Sequence, residues 1–127
     1  MPDLPDEHTT AFVQITRREG VLLVRPLGPN VGQREAPIIQ REVNPYLAEI
    51  GSSLEHLVLD MSTTNFMSSM GLGMCIAFRN MANSVSAESI LFGITRNFRG
   101  IIATSRIESL YTIANDHADL QRITGLD

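Results

Sequence analysis

The sequence predicts a single α/β domain whose mixed sheet of four to five strands is ordered ββαβαβαβα, with helices packed on it. Three observations predict it. Short apolar runs alternate with stretches of helical periodicity from residue 11 onward. The first two runs flank a tight Glu19-Gly20 turn, the signature of an antiparallel hairpin. A later run, Leu57-Val58-Leu59, is apolar at every position, as expected of an interior strand covered on both faces. The length of 127 residues suits one hydrophobic core. An apolar fraction of 43% against 19% charged is that of a globular chain.

Residues 1–10 are polar and are expected to form a disordered N-terminal tail, leaving 11–127 as the domain. Ala11 to Thr16, carrying Phe12, Val13 and Ile15, is the first strand, and Val21 to Leu27 is the second. Gly28-Pro29-Asn30 and Gly32 mark a loop. Ile39, Val43, Leu47 and Ile50 recur at steps of four, four and three, one face of a helix from about Pro37 to Ile50. Pro45 removes a hydrogen bond inside it and predicts a kink or a late start. Gly51-Ser52-Ser53 ends that helix, and Asp60 closes the third strand. Met74, Phe78, Met81, Ala82 and Val85 give the apolar face of a second helix from Ser69 to Asn83. Ile90 to Ile94 is a fourth strand. Phe98, Ile101, Ile102 and Ser105 mark a third, short helix starting near Asn97. Leu110 to Ala114 is a fifth strand, and His117 to Ile123 a last helix. Right-handed β-α-β connections then place the parallel strands side by side.

Composition excludes several function classes. All ten basic residues are arginine, scattered through a chain of net charge −4, so no concentrated cationic face for nucleic acid is expected. No apolar run is long enough to span a membrane, and none is expected to insert. The first residues, Met-Pro-Asp-Leu-Pro-Asp-Glu, are acidic rather than basic then apolar, unlike a signal peptide. Cys75, the single cysteine, cannot form an internal disulfide, and the cytoplasm is the expected compartment. His8, His56 and His117 lack paired metal-ligand spacing, so no metal or other cofactor is expected. No Gly-x-Ser-x-Gly elbow is present, and Gly71 and Gly73 lack the third glycine and downstream acid of a dinucleotide fingerprint. The chain is not expected to be an enzyme.

The informative stretch is Leu57 to Gly73: Leu-Val-Leu-Asp-Met-Ser-Thr-Thr-Asn-Phe-Met-Ser-Ser-Met-Gly-Leu-Gly. It resembles the STAS domain family of the bacterial anti-sigma factor antagonist type. There a hydrophobic strand ending in Asp precedes a Phe-Ile-Asp-Ser-Ser-Gly-Leu-Gly-like motif that opens a helix. Asp60 matches the strand-end aspartate, Phe66-Met67 the Phe-Ile pair and Gly71-Leu72-Gly73 the glycine segment. Ser68 stands in place of the motif aspartate, Ser69 at the phosphorylatable serine, and Met70 in place of the second serine. Arg106 to Ile113 is similar to the family's closing phrase, so the resemblance spans roughly Ala11 to Leu120.

The resemblance implies a protein that binds an anti-sigma factor acting as a serine kinase of the GHKL ATPase type, switched by phosphorylation at Ser69, with Ser68 as the alternative acceptor. Other STAS proteins are further implied partners. The alternative role is a scaffold or accessory subunit of a stressosome-like or lipid-transport assembly. The implied partner surface comprises Ser62, Thr63, Thr64, Asn65, Ser68, Ser69, Met70, Gly71 and Gly73. The residues also allow a plainer reading, in which Ser69 is the N-cap of the second helix. Two glycines are costly at a helix start, at about 1 kcal/mol each relative to alanine. They suit either close helix–strand packing or an open approach to the serine. Of Met67, Met70 and Met74, spaced three and four apart, Met70 is the candidate for an exposed, adaptable contact.

Overall fold

The structure, a computed structural model, describes residues 4–126. In chain order the elements are β1 (Glu7–Thr9), β2 (Val13–Arg18), β3 (Val21–Pro26), β4 (Asn30–Val31), α1 (Glu35–Ile50), β5 (His56–Asp60), β6 (Phe66–Met67), α2 (Ser69–Ser84), β7 (Glu88–Phe92), α3 (Arg96–Ile102), α4 (Ile107–Leu110), β8 (Thr112–Ala114) and α5 (His117–Thr124). A 3₁₀ turn, Gly51–Ser53, follows α1.

The hairpin is as expected. Glu19 and Gly20 both take positive φ, 44° and 83°, the mirror-image turn whose twist matches that of the strands it joins. Arg18 therefore pairs with Val21, and the ladder runs back to Val13 and Pro26. The main sheet has the order β1-β2-β3-β5-β7-β8. Its first three strands are antiparallel, and from β3 onward the pairings are parallel. β5 lies in the interior, with α1 to α4 on one face and α5 on the other. Leu57 and Leu59 join the larger core with Val43 of α1, Phe78 of α2 and Phe98 of α3. Val58 faces the opposite way, into a smaller cluster with Val21, Ile90, Phe92 and Ala114 beneath Leu120 and Ile123 of α5. Burial on both faces explains the unbroken apolar run.

The sheet has six strands rather than four or five, because residues 7–9, expected within a disordered tail, form β1. Tertiary contacts order this segment. Tyr46 donates its hydroxyl proton to the carbonyl of Pro5 at 2.8 Å. The Glu49 carboxylate accepts from the amide of Leu4 and pairs with Arg17. Arg17 also reaches Asp6 at 3.3 Å, and His8 meets Glu42 at 3.1 Å. Residues 1–3 of that tail, and Asp127, lie outside the described residues.

Other boundaries shift for local reasons. α1 begins two residues before Pro37 and continues through Pro45, which sits on its exposed side. The fourth strand ends at Phe92 rather than Ile94, and the Thr95 hydroxyl then caps α3 by accepting from the amide of Phe98 at 3.1 Å. Leu110 belongs to α4, a single turn the periodicity did not reveal, and the last strand begins at Thr112. Met81, expected on the packed face of α2, is 38% exposed.

Cys75 lies wholly inside the larger core, and its carbonyl accepts the buried hydroxyl of Tyr111 at 2.6 Å. Burial pushes its thiol pKa up to about 12. Reaction with iodoacetamide requires thiolate, so at pH 8 the folded protein is expected to stay unlabelled while the urea-unfolded chain labels fully. Mass spectrometry of the two samples reads this directly. Labelling of the folded protein at the unfolded rate would show that the core opens around α2.

Candidate functional site

The carboxyl ends of β5 and β7 set up the site. Beyond Asp60 the chain turns sharply: the Asp60 carboxylate accepts from the amide of Ser62 at 3.0 Å, and the carbonyl of Met61 accepts from the amide of Thr64 at 3.0 Å. The loop is then tied down at three points. Thr63 donates its hydroxyl to the carbonyl of Pro26 at 2.6 Å, and Thr95 donates to the carbonyl of Thr64 at 2.8 Å. The amides of Asn65 and Phe66 both donate to the carbonyl of Pro29, at 2.8 and 3.0 Å. β6 then pairs in parallel with β4, Asn30 to Phe66 and Val31 to Met67. The carbonyl of Val31 receives the amide of Ser68 at 3.0 Å, which delivers the chain into α2.

The helix cap is Ser68, not Ser69. Ser68 is extended, with φ −77° and ψ 174°, and its hydroxyl accepts from the amide of Gly71 at 3.3 Å. Ser69 is the first helical residue, exposed, with no hydrogen bond to its hydroxyl among the described residues. The first turn of α2 holds no acidic residue, so its positive dipole end is uncompensated by any side chain of that turn.

The two glycines divide the roles expected of them. A β-carbon on Gly71 would stand 2.5 Å from the carbonyl oxygen of Val31, so the close crossing of α2 over β4 demands glycine there. A β-carbon on Gly73 would meet nothing within 4 Å. Gly71 is buried by packing, whereas Gly73 lies open on the face that carries Ser69 and Met70.

Of the residues expected at a partner surface, Ser62, Asn65, Ser69, Met70 and Gly73 are exposed, and Thr63 and Ser68 are half-buried. Thr64 is fully buried and Gly71 buried, so neither presents a side chain outward. Met67 and Met74 fill the core, with the Met67 sulfur 3.7 Å from that of Cys75. Met70 is 45% exposed.

Two contributors escaped the sequence reading. Phe66 is 51% exposed beside the serines, and Met81 continues the same outward side of α2 three turns beyond Met70. The signal for both was charge: α2 has Arg79 as its only charged residue. The exposed positions Ser69, Met70, Gly73, Asn80, Met81, Asn83 and Ser84 carry none. A long uncharged face with two exposed methionines, next to the exposed Phe66 of β6, is unusual for a helix meant to stay in water, and it matches the depletion of charge at interface centres.

The sequence matches one protein family, the STAS domain, over residues 12–120. No curated protein matches the chain by sequence. Among solved structures, an anti-sigma factor antagonist from Mycobacterium paratuberculosis superposes with a TM-score of 0.73 at 16% identity, covering 89% of this chain and 92% of its own. The phosphorylated form of the Bacillus cell fate determinant SpoIIAA gives 0.66 at 14% identity, covering 87% and 98%. Part of a murine transporter, the solute carrier 26 family member A9 anion transporter, gives 0.69 at 18% identity, covering 85% of this chain and 18% of the transporter.

Proposed function

Because the chain belongs to the STAS domain family, we propose that it is an anti-sigma factor antagonist, acting in the cytoplasm as a binding switch rather than an enzyme. Its partner on this reading is an anti-sigma factor with serine kinase activity of the GHKL ATPase type. The partner docks on Ser62, Asn65, Phe66, Ser69, Met70 and Gly73 and phosphorylates Ser69. One observation carries the reading: Ser68 takes the capping duty, which leaves the Ser69 hydroxyl exposed and uncommitted at the start of an uncharged helix face. A structural neighbour is known in a phosphorylated form, which supports the same role for this domain type.

Phosphate on Ser69 would add about −1.5 to −2 charges at the positive end of α2, where the isolated domain tolerates it and an apolar partner surface does not. The switch therefore acts on binding and leaves the fold intact.

The test is incubation of the purified protein with ATP and the kinase captured with it from native lysate, followed by site mapping with mass spectrometry. The expected result is modification of Ser69 in preference to Ser62 or Thr63, abolished in Ser69→Ala. Ser68→Ala should keep the modification while losing the cap, about 0.5–2 kcal/mol of stability. Full incorporation into Ser69→Ala with loss in Ser68→Ala would move the acceptor to Ser68. No incorporation into either serine, with a stable complex still formed, would favour the scaffold or accessory-subunit role.

A further inference from the structure

The sheet face opposite α1 and α2 is incompletely covered. α5 has eight residues, none fully buried, and its ends are closed by its own groups: the Asp116 carboxylate accepts from the amide of Asp119 at 2.8 Å, and the amide of Gly125 donates to the carbonyl of Gln121 at 2.8 Å. It lies over the parallel half of the sheet, with Leu120 and Ile123 on Val58, Ile90, Phe92 and Ala114. Where β3 meets its flank, a cavity of about 210 Å³ opens between helix and sheet.

The walls of this cavity are apolar and its charge is one-sided. Val21, Leu23 and Val58 line it from the sheet, and Leu120 and Leu126 from the helix side. Leu23, Leu120 and Leu126 remain only half-buried, so an apolar occupant would remove further surface from water. At the rim stand Arg18, exposed, and the imidazole of His117, with Thr16 and Gln121 as neutral polar groups. No Asp or Glu lines the cavity among the described residues, although acids outnumber arginines fourteen to ten in the chain. A second cavity, on the far side of the β2–β3 turn, is lined by Asp6, Glu19 and Glu49 together with Arg17 and Arg18. Arg18 thus stands between the two cavities, with acid lining only the second.

We propose that the cavity between β3 and α5 is a binding site for a medium-chain carboxylate, with the alkyl chain on Val21, Leu23 and Leu120 and the carboxylate at the Arg18 guanidinium. The volume falls below the range of about 300–1,000 Å³ typical of drug-sized ligands, which suits a single unbranched chain. Arginine meets a carboxylate with two parallel donors. The site lies on the opposite face of the sheet from Ser69 and is independent of the switch proposed above.

The test is a methyl-resolved NMR titration of the whole protein with sodium decanoate below its micelle concentration, alongside decanol and decyltrimethylammonium. Decanoate is expected to give saturable shifts at Val21, Leu23 and Leu120 while the Met70 methyl stays still. The ammonium analogue should bind about tenfold more weakly or worse, and Arg18→Glu should cost decanoate a similar factor. Gln121→Trp, at an exposed lining position, should block the cavity while circular dichroism stays native. The proposal is overturned if decanoate produces no saturable shift at those methyls. It is equally overturned if all three probes bind alike and Arg18→Glu changes nothing, since the cavity would then be a crevice that takes any apolar chain.

Discussion

Replacing Ser69 with aspartate is expected to weaken partner binding about a hundredfold, or roughly 2.7 kcal/mol, while leaving the isolated domain at least as stable as before. The two halves of this result have different causes. In the free protein the new carboxylate sits in water at the first position of α2, whose first turn carries no other acid, and the helix dipole favours it. In the proposed complex the same charge would be covered by the partner beside the exposed Phe66 and Met70, and would lose its water unless the partner supplied a cation. Calorimetric titration of the captured partner against both proteins measures the first half, and thermal unfolding followed by circular dichroism measures the second. Raising the salt concentration should leave most of the loss in place, since a desolvated charge is screened far less than a surface pair. Equal affinities for wild type and variant would show that the start of α2 lies outside the interface.

Alanine at Gly71 and alanine at Gly73 are expected to act in opposite directions, although the two positions are one residue apart. At Gly71 the added methyl would lie 2.5 Å from the backbone oxygen of Val31 and 3.1 Å from the side chain of Met67, so α2 must lift from β4. Overpacking of this kind costs about 1–3 kcal/mol. At Gly73 the methyl points into open space, and the gain in helix propensity is up to about 1 kcal/mol. Urea unfolding of the two variants gives the sign and size of each change. Gly73→Ala carries a second expectation: a more stable domain that binds its partner less well, because the methyl enters the proposed docking face. Gly71→Ala as stable as wild type would mean that the α2–β4 crossing is loose.

The long-range plan of the fold was legible because it rests on pattern. The hairpin turn, the doubly covered run Leu57–Leu59 and the span of α2 each follow from residues that carry their own signal. The short elements were not legible, since nothing local specifies them. β1 depends on Tyr46, Arg17 and Glu49, which lie up to 45 residues away in sequence. β4 and β6 are two-residue strands that exist only against each other. At the site, the sequence offered Ser69 as the cap, one residue later than Ser68, which takes it. Two adjacent serines are equally good caps, and the choice falls to the backbone, extended at Ser68 and helical from Ser69. Thr64 appeared polar and loop-borne in the sequence yet is wholly buried, because the loop folds under α3 once Thr95 binds its carbonyl.

Both margins of the main sheet are three-residue strands, β1 and β8. A long unpaired margin would offer a row of free amides and carbonyls on which another chain could add as a further strand, the usual first step toward aggregation. The six-residue strand β2 would be such a template if it stood outermost. β1 occupies it instead, through the pairs Glu7–Thr16, His8–Ile15 and Thr9–Gln14, and presents only a short, polar rim of its own. The side chains that fasten residues 4–9 to α1 thus do more than order this segment: they hold in place the short strand that covers the long margin of β2.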